Sequence, residues 1–199
     1  MTTSDTALLI IDVQNDFLPG GALAVYEGDL IIPEIQAIAS EFETRIATQD
    51  WHPAGHKSFA SSFGKQPFVQ IQWKGQMETL WPDHCIQETY GAEIHPAILA
   101  LGIEHVVGKG QQKEVDSYSA FFDNHRASKT ELDGLLRRLG IKKLVVCGLA
   151  TDYCVKFTVL DALQLGYEVE VLTKAVKAVA DQEGALLEME RAGALLISR

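Results

Sequence analysis

The architecture of the chain is set by residues 142–154, KKLVVCGLATDYC. The apolar run at 142–148 is short and rich in Val and Leu, which is typical of a strand buried on both faces. Apolar residues then recur at helical spacing through 152–165 and stop at Gly166, so a helix begins beside Cys154. A strand that turns directly into a helix is the repeating unit of parallel α/β folds.

Five further apolar runs have the same character, at 6–12, 44–49, 104–108, 168–173 and 194–198. Helical patterns separate most of them, and two helix starts carry capping signals, the capping-box sequence SKTE at 128–131 and Asp181. Strands that alternate with helices form a parallel sheet with helices on both faces. The sequence therefore predicts a three-layer α/β/α fold, Rossmann-like, around a mainly parallel six-stranded sheet.

The composition narrows the class of protein. The chain has 199 residues, 47% of them hydrophobic, and a formal net charge of −10. This length predicts one domain, residues 1–199. Binding to nucleic acid or to an anionic membrane surface needs clustered Lys and Arg, so the charge argues against both. The N-terminus resembles neither a signal peptide nor a membrane span. Three cysteines, few and odd in number, favour reduced thiols in a cytoplasm.

The segment from about 52 to 90 departs from the alternating pattern. It carries three prolines and has no sustained hydrophobic period. Loops longer than ~15 residues in a compact domain are usually functional or disordered. The aromatic residues Phe63, Phe68, Trp73 and Trp81 favour order. We therefore predict a loop-rich insertion that folds over the sheet edge and covers an active site.

Chemically active side chains follow four of the predicted strands. Asp12, Asp50, Lys109 and Cys154 each lie just past an apolar run. In an open parallel sheet, ligands bind outside the carboxyl ends of the strands. A thiol in the first turn of a helix is favoured as the thiolate, and Asp12 and Lys109 are candidate base and charge partner. The alternatives are a small buried Cys154, a turn-capping Asp12 and a solvated Lys109.

A second set of side chains has the spacing of metal ligands. Asp50, His52 and His56 form D-x-H-x3-H, and His84 follows in the sequence WPDH. Carboxylate and imidazole together suit zinc, iron or manganese. In an extended strand end, residues two apart point to the same side, so Asp50 and His52 are expected to act together.

Taken together, these segments resemble the nicotinamidase (pyrazinamidase) family of the isochorismatase-like cysteine hydrolases. The resemblance rests on five stretches, IDVQNDFLPGGAL at 11–23, TQDWHPAGHKSF at 48–59, WPDHC at 81–85, KG at 109–110 and CGLATDYCV at 147–155. Their order and combination are far more specific than any one of them.

The resemblance implies the roles of particular residues. It implies a catalytic triad of Asp12, Lys109 and Cys154, and one divalent metal ion held by Asp50, His52 and His84, with His56 as a fourth ligand in some members. It also implies a cis peptide at Leu149–Ala150 and an oxyanion hole formed by the backbone N–H groups of Ala150 and Cys154. The family's aromatic pocket is matched by Phe17, Trp81, Tyr118 and Tyr153.

The implied reaction is hydrolysis of nicotinamide, and of pyrazinamide, through a thioester in NAD salvage. The resemblance also suggests a cytoplasmic homodimer. Two alternatives stay open at this point. One is a different hydrolase on the same scaffold, acting on isochorismate or on carbamoylated amines. The other is a non-enzymatic metal-binding or regulatory module that retains the fold.

Overall fold

The computed structural model describes residues 4–198 and contains a six-stranded sheet and a two-stranded sheet. The strands are β1 (Thr6–Ile11), β2 (Thr44–Asp50), β3 (Gln70–Trp73), β4 (Gln76–Thr79), β5 (His105–Lys109), β6 (Lys143–Leu149), β7 (Glu168–Lys177) and β8 (Leu195–Ile197). The helices are α1 (Ile31–Ala39), α2 (Pro96–Leu99), α3 (Leu132–Arg138), α4 (Lys156–Gln164) and α5 (Gln182–Ala192).

The main sheet has the order β5-β2-β1-β6-β7-β8, and all its neighbouring strands are parallel. Alternate residues of β1 face opposite layers. Leu8 and Ile10 pack with α1 and α2, whereas Leu9 and Ile11 pack with α3, α4 and α5. This confirms the predicted three-layer α/β/α architecture.

The strand ends differ slightly from those predicted. Asp50 and Lys109 are the last residues of β2 and β5 rather than the residues after them. β7 runs on to Lys177, past an irregularity in its pairing with β6 between Val146 and Gly148. The polar pair Thr173–Lys174 interrupts the apolar run, so the hydrophobic pattern alone ends this strand too early.

The segment at 52–90 contains a short antiparallel hairpin, β3–β4, which the sequence analysis did not predict. Its turn is formed by Lys74 and Gly75, both with positive φ. Each strand has only four residues and mixes polar with apolar side chains, too short a stretch to show a period. Trp73 packs edge-on against Phe63, with ring centroids 5.0 Å apart, as the aromatic content of this segment had suggested.

The two helix-start predictions have different outcomes. Asp181 caps α5 as expected, because its carboxylate accepts the Gly184 N–H at 2.9 Å. The capping box at 128–131 is wrong. The Thr130 hydroxyl accepts the Leu132 N–H instead, and the Ser128 N–H is taken by the carboxylate of Asp123. Within residues 4–198, none of the helices combines the length and apolar character needed to cross a bilayer.

Candidate active site and cation site

Four adjacent strands bring the predicted catalytic side chains to one edge of the sheet. Asp12 follows β1, Asp50 and Lys109 end β2 and β5, and Cys154 lies in a π-helical turn, Thr151–Val155, just after β6. All four residues are buried. Oxygen atoms of Asp12 and Asp50 lie within 4.8 Å of each other and of the Cys154 sulfur. The convergence predicted from the strand ends is therefore present.

The ammonium group of Lys109 is the centre of this cluster. Its Nζ lies 3.0 Å from Asp12 Oδ2, 2.8 Å from Asp50 Oδ1, 2.9 Å from the Ser117 carbonyl oxygen and 3.4 Å from Cys154 Sγ. Burial by itself would lower the pKa of Lys109, but Asp12 and Asp50 outweigh it and hold that pKa well above its usual range. Lys109 is therefore a fixed positive charge shared by two carboxylates and a thiol.

Asp12 is held in a defined orientation by Thr48 on β2. The Thr48 hydroxyl donates to Asp12 Oδ1 at 2.6 Å and accepts the Asp12 N–H at 3.1 Å. Asp12 has φ 47°, in the left-handed region, so this pair of hydrogen bonds fixes a turn that a non-glycine residue rarely adopts. Asp12 Oδ2 is at ion-pair distance from Lys109 but receives no directed hydrogen bond. That oxygen is free to accept a proton.

The pKa of Cys154 differs from the value expected from the sequence. The helix start was expected to favour the thiolate, but burial raises the pKa of Cys154 well above its usual range. Lys109 opposes this effect, whereas the negative charges of Asp12 and Asp50 add to it. Burial also raises the pKa of Asp12, against the opposing charge of Lys109. The resting site therefore holds a protonated thiol beside a strengthened carboxylate base.

The turn before Cys154 combines a cis peptide with two backbone hydrogen bonds to one carbonyl oxygen. The Leu149–Ala150 peptide is cis, as the family resemblance implied. The N–H groups of Tyr153 and Val155, the residues on either side of Cys154, both donate to the Ala150 carbonyl at 3.1 Å. The Cys154 N–H takes part in neither of these hydrogen bonds. Ala150 and Cys154 both line the same pocket. The oxyanion role of their N–H groups stays a prediction.

Three of the four predicted metal ligands converge on one point. His52 Nε2 lies 3.2 Å and His84 Nε2 3.7 Å from Asp50 Oδ2. Each ring places its other nitrogen against a carbonyl oxygen, His52 Nδ1 at 2.9 Å from Gly110 and His84 Nδ1 at 2.7 Å from Pro82. A carbonyl only accepts, so both Nδ1 atoms carry the proton and both Nε2 atoms face the carboxylate.

The carboxylate also controls the charge of its neighbour His52. Burial alone would lower the pKa of His52, but Asp50 outweighs burial and raises it to about 8. The pKa of Asp50 is held well below its usual range, because the positive charges of His52 and Lys109 overcome the effect of burial. A proton and a metal ion therefore compete for the same His52 nitrogen.

The structure does not bring His56 into this group. Its ring stacks on His52 with centroids 4.3 Å apart, and Nε2 donates to the Gln112 carbonyl at 2.9 Å. Nδ1 faces the Ser58 hydroxyl at 2.7 Å and accepts the Ser58 N–H at 3.2 Å. His56 instead forms a second group with His52 and Asp116, whose candidate ligand atoms lie within 4.8 Å of one another. Its role as a fourth ligand stays a prediction.

Gln14 and Asp16 anchor the site, and the sequence analysis missed both. The Gln14 side chain accepts the Asp50 N–H and donates to the Asp50 carbonyl, each at 2.8 Å. Asp16 Oδ2 accepts the N–H of Cys85, the residue after His84, at 2.7 Å. Both residues lie in the polar stretch that directly follows β1 and Asp12, and this position past a strand end was the available signal.

A test of the cation site is provided by Gly110, which has φ +65° beside His52. A Cβ added there would lie 2.5 Å from His52 Cε1 and 2.7 Å from Nδ1. We expect Gly110→Ala to displace the ring and to weaken Zn²⁺ or Mn²⁺ affinity by about 10–100-fold, the usual cost of disturbing a ligand's supporting contact. Isothermal titration of the apoprotein measures this affinity.

The matched control for this experiment is Gly140→Ala. Gly140 has φ +71°, so the backbone cost is similar, but an added Cβ there meets nothing within 4 Å. Gly140→Ala should leave the metal affinity unchanged. Equal losses in both variants would mean that the effect at Gly110 reflects general destabilisation rather than the position of His52.

A pocket opens over the cluster and reaches both the thiol and the cation ligands. Its free space, with the open mouth included, is about 390 Å³. The four aromatic residues predicted from the family all line it, and Trp81 Nε1 donates to the Tyr118 hydroxyl at 3.2 Å. The sequence analysis missed three further lining residues, Leu23, Asp116 and Val179.

Comparison with known proteins agrees with this site. The chain matches the family model of the Isochorismatase domain over residues 6–199. It is 52% identical over 198 residues to the nicotinamidase of Escherichia coli (strain K12), covering 96% of this chain and 93% of that protein. A nicotinamidase/pyrazinamidase structure from Acinetobacter baumannii superposes with a TM-score of 0.96 at 41% identity, covering 100% and 98% of the two chains. The zinc complex of a Pyrococcus horikoshii pyrazinamidase gives a TM-score of 0.80 at 36% identity, covering 98% and 99%. The chain therefore belongs to the isochorismatase family.

Proposed function

We propose that this chain is a cysteine amidohydrolase that converts nicotinamide and water to nicotinate and ammonia in NAD salvage. The observation that carries the proposal is the position of Lys109 Nζ, within 3.4 Å of Cys154 Sγ and 3.0 Å of Asp12 Oδ2. A buried thiol, a base and a fixed positive charge are the parts of a nucleophilic site. The similar proteins named above, nicotinamidases and a pyrazinamidase, support the substrate class.

The residues present fit one divalent cation. Asp50, His52 and His84 offer one carboxylate oxygen and two imidazole nitrogens within 4.8 Å of one another. This donor set suits zinc, iron or manganese and leaves coordination positions open. When bound, such an ion supplies a Lewis acid that orients a ring nitrogen or a water molecule in the pocket. The zinc complex of the archaeal pyrazinamidase supports zinc among these metals.

The first half of the reaction follows from the charges around Cys154. Asp12 accepts the thiol proton, and the sulfur attacks the carboxamide carbon to form a tetrahedral adduct. Lys109 stabilises the negative charge as it moves between carboxylate and sulfur. The N–H groups of Ala150 and Cys154 hold the oxyanion, where loss of one such donor typically costs roughly 3–4 kcal/mol. Protonated Asp12 then returns the proton to the leaving ammonia, and a thioester remains.

The second half uses the same base. Asp12 is a carboxylate again after ammonia leaves, so it takes a proton from water as that water attacks the thioester. Collapse of the second adduct releases nicotinate and restores the Cys154 thiol with the proton from Asp12. The raised pKa of Asp12 makes its carboxylate a stronger base than an ordinary one, which suits the removal of a proton from the thiol and later from water.

The aromatic pocket selects a flat ring. Phe17, Trp81, Tyr118 and Tyr153 surround the space above Cys154, with Trp81 and Tyr153 edge-on at 4.8 Å. Planar heteroaromatic amides fit such walls through stacking and edge contacts. Pyrazinamide has the same shape as nicotinamide, so it is part of the proposed substrate range. All three cysteines are free thiols, which supports the proposal of a cytoplasmic location.

The experiment that tests this function is a steady-state ammonia-release assay with nicotinamide, before and after chelation. We expect turnover of nicotinamide and pyrazinamide, a loss of most of it on removal of the ion, and its return when zinc or manganese is added back. A panel with isochorismate and N-carbamoyl amines separates the other hydrolases of this scaffold. Preference for either of those compounds, or no ammonia from any amide, would contradict the proposal.

A further inference from the structure

Val179 stands apart from the other apolar residues that line the pocket. It is 38% exposed, whereas Phe17 and Trp81 are 7% and 4% exposed. It lies in the segment between β7 and α5, which contributes none of the reacting groups. The thiol and the cation ligands are at the buried end of the pocket, so Val179 lies at its mouth. If the carboxamide group of a substrate lies at the buried end beside Cys154, the opposite edge of its aromatic ring faces Val179.

The position of Val179 is fixed by Asp152, a residue of the turn that carries the nucleophile. The Asp152 carboxylate accepts three consecutive backbone N–H groups, from Val179 at 2.9 Å, Ala180 at 2.8 Å and Asp181 at 3.1 Å. Asp152 is itself buried and lies two residues before Cys154. One carboxylate thus sets the distance between the mouth of the pocket and the nucleophile.

We infer that Val179 is a specificity-determining residue that limits the size of ring substituents, and that Asp152 is the positioning residue that holds it in place. This inference rests on the proposed hydrolysis of nicotinamide and refines its substrate class. The substrates excluded by Val179 are pyridine carboxamides with an alkyl group on the ring edge that faces the mouth.

The expected size of the effect follows from the volume involved. Val179→Ala removes two carbon atoms from the mouth, about the space that one added methyl group needs. One methyl group in an apolar pocket is typically worth 10- to 200-fold in discrimination, so an effect of at least about tenfold is expected. Val179 lines the pocket but is not one of the proposed reacting groups, so the effect is measured as a ratio of two substrates on the same variant rather than as the turnover of nicotinamide alone.

The test compares kcat/KM for nicotinamide with kcat/KM for its 4-methyl, 5-methyl and 6-methyl derivatives. The ratio of the kcat/KM values for two substrates, measured on one protein preparation, does not depend on the fraction of the protein that is folded. In Val179→Ala, the ratio of at least one methyl derivative to nicotinamide should rise by about tenfold or more. The control is Val106→Ala, at a valine that is 43% exposed on β5 and absent from the pocket lining. Its ratios should equal those of the wild type.

The role of Asp152 is tested with Asp152→Asn and the double variant. An amide has one accepting oxygen, so Asn loses at least one of the three hydrogen bonds, and the ratio should rise as in Val179→Ala. In the double variant the two effects should not add, because both act on one wall. Asp123→Asn is the matched control, since Asp123 likewise accepts three backbone N–H groups, from His125, Ala127 and Ser128. It should lower stability and leave the ratios unchanged.

Three failures are distinguishable. If the wild type releases no ammonia from nicotinamide, the proposed function fails. If the wild type is active and Val179→Ala leaves all three ratios unchanged, the inference about Val179 is overturned. If Asp123→Asn changes the ratios as much as Asp152→Asn does, the positioning role of Asp152 is overturned.

Discussion

Replacement of Cys154 by alanine should abolish ammonia release from nicotinamide while the fold and the cation site stay intact. Cys154 Sγ is the proposed nucleophile, Lys109 Nζ contacts it at 3.4 Å, and no other thiol lines the pocket. Loss of a nucleophile within a catalytic unit typically lowers turnover by at least about 10⁴-fold. The sulfur lies outside the Asp50, His52 and His84 group, so Zn²⁺ affinity by titration should equal that of the wild type.

The control for this variant is Cys147→Ala. Cys147 is a buried thiol in β6 with its pKa raised by burial alone, and its Sγ faces the Leu9 carbonyl rather than any charged group. That variant creates a small cavity and should lose some stability, yet turnover per folded molecule should persist. A Cys154→Ala variant with appreciable ammonia release would remove Cys154 from the role of nucleophile.

Replacement of Lys109 by methionine should have the largest effect on stability of any change at this site. The side chain is fully buried between the carboxylates of Asp12 and Asp50. Removal of one partner of a buried ion pair typically costs about 3–5 kcal/mol, because a charge is left buried without compensation. Urea denaturation of the metal-free protein at pH 7 should show this loss, and ammonia release should fall with it.

The loss of stability in Lys109→Met should depend on pH, and the pKa of Asp12 sets the direction of that dependence. Burial raises the pKa of Asp12 above its unfolded value, so the folded state binds a proton more readily than the unfolded chain. In Lys109→Met the opposing charge is gone and that pKa rises further. The stability deficit should therefore grow as pH rises from the folded pKa of Asp12 in the wild type to the higher one in the variant. Part of it should remain at lower pH, because Asp50, whose pKa is held well below its usual range, is still charged there.

The control for Lys109→Met is Lys142→Met, at a side chain that is 79% exposed and 3.8 Å from Asp5. Exposed ion pairs of this kind contribute less than about 1 kcal/mol, so stability should hardly change. A Lys109→Met protein as stable as the wild type at pH 7 would mean that Asp12 and Asp50 do not both carry charge in the folded state.

Local patterns in the sequence were sufficient to predict the sheet and the catalytic cluster. Short apolar runs placed Asp12, Asp50 and Lys109 at strand ends, and parallel topology brings all such ends to one edge. The cation ligands were found for a related reason. Asp50 and His52 are two residues apart at the end of β2, and both side chains reach the same point.

Features that depend on tertiary contacts could not be predicted in the same way. The capping box at 128–131 failed because Asp123, from a neighbouring turn, takes the Ser128 N–H. His56 has the spacing of a ligand, and the structure sets it apart from Asp50 through contacts with Ser58 and with Gln112, which is 56 residues away. Whether it serves as a fourth ligand stays a prediction. The thiol was expected to ionise because of the helix start, whereas burial at the sheet edge dominates its pKa. No local pattern contains these partners.

The closeness of Asp12, Gln14 and Asp16 along the chain has an evolutionary consequence. Five residues of chain supply the proton acceptor, the brace for the backbone of Asp50, and the tether for the residue after His84. Because the three contacts lie within one short segment, gain or loss of one residue between them would disturb more than one contact at once. We therefore expect the proposed proton acceptor and the supports of the candidate cation site to change together rather than independently.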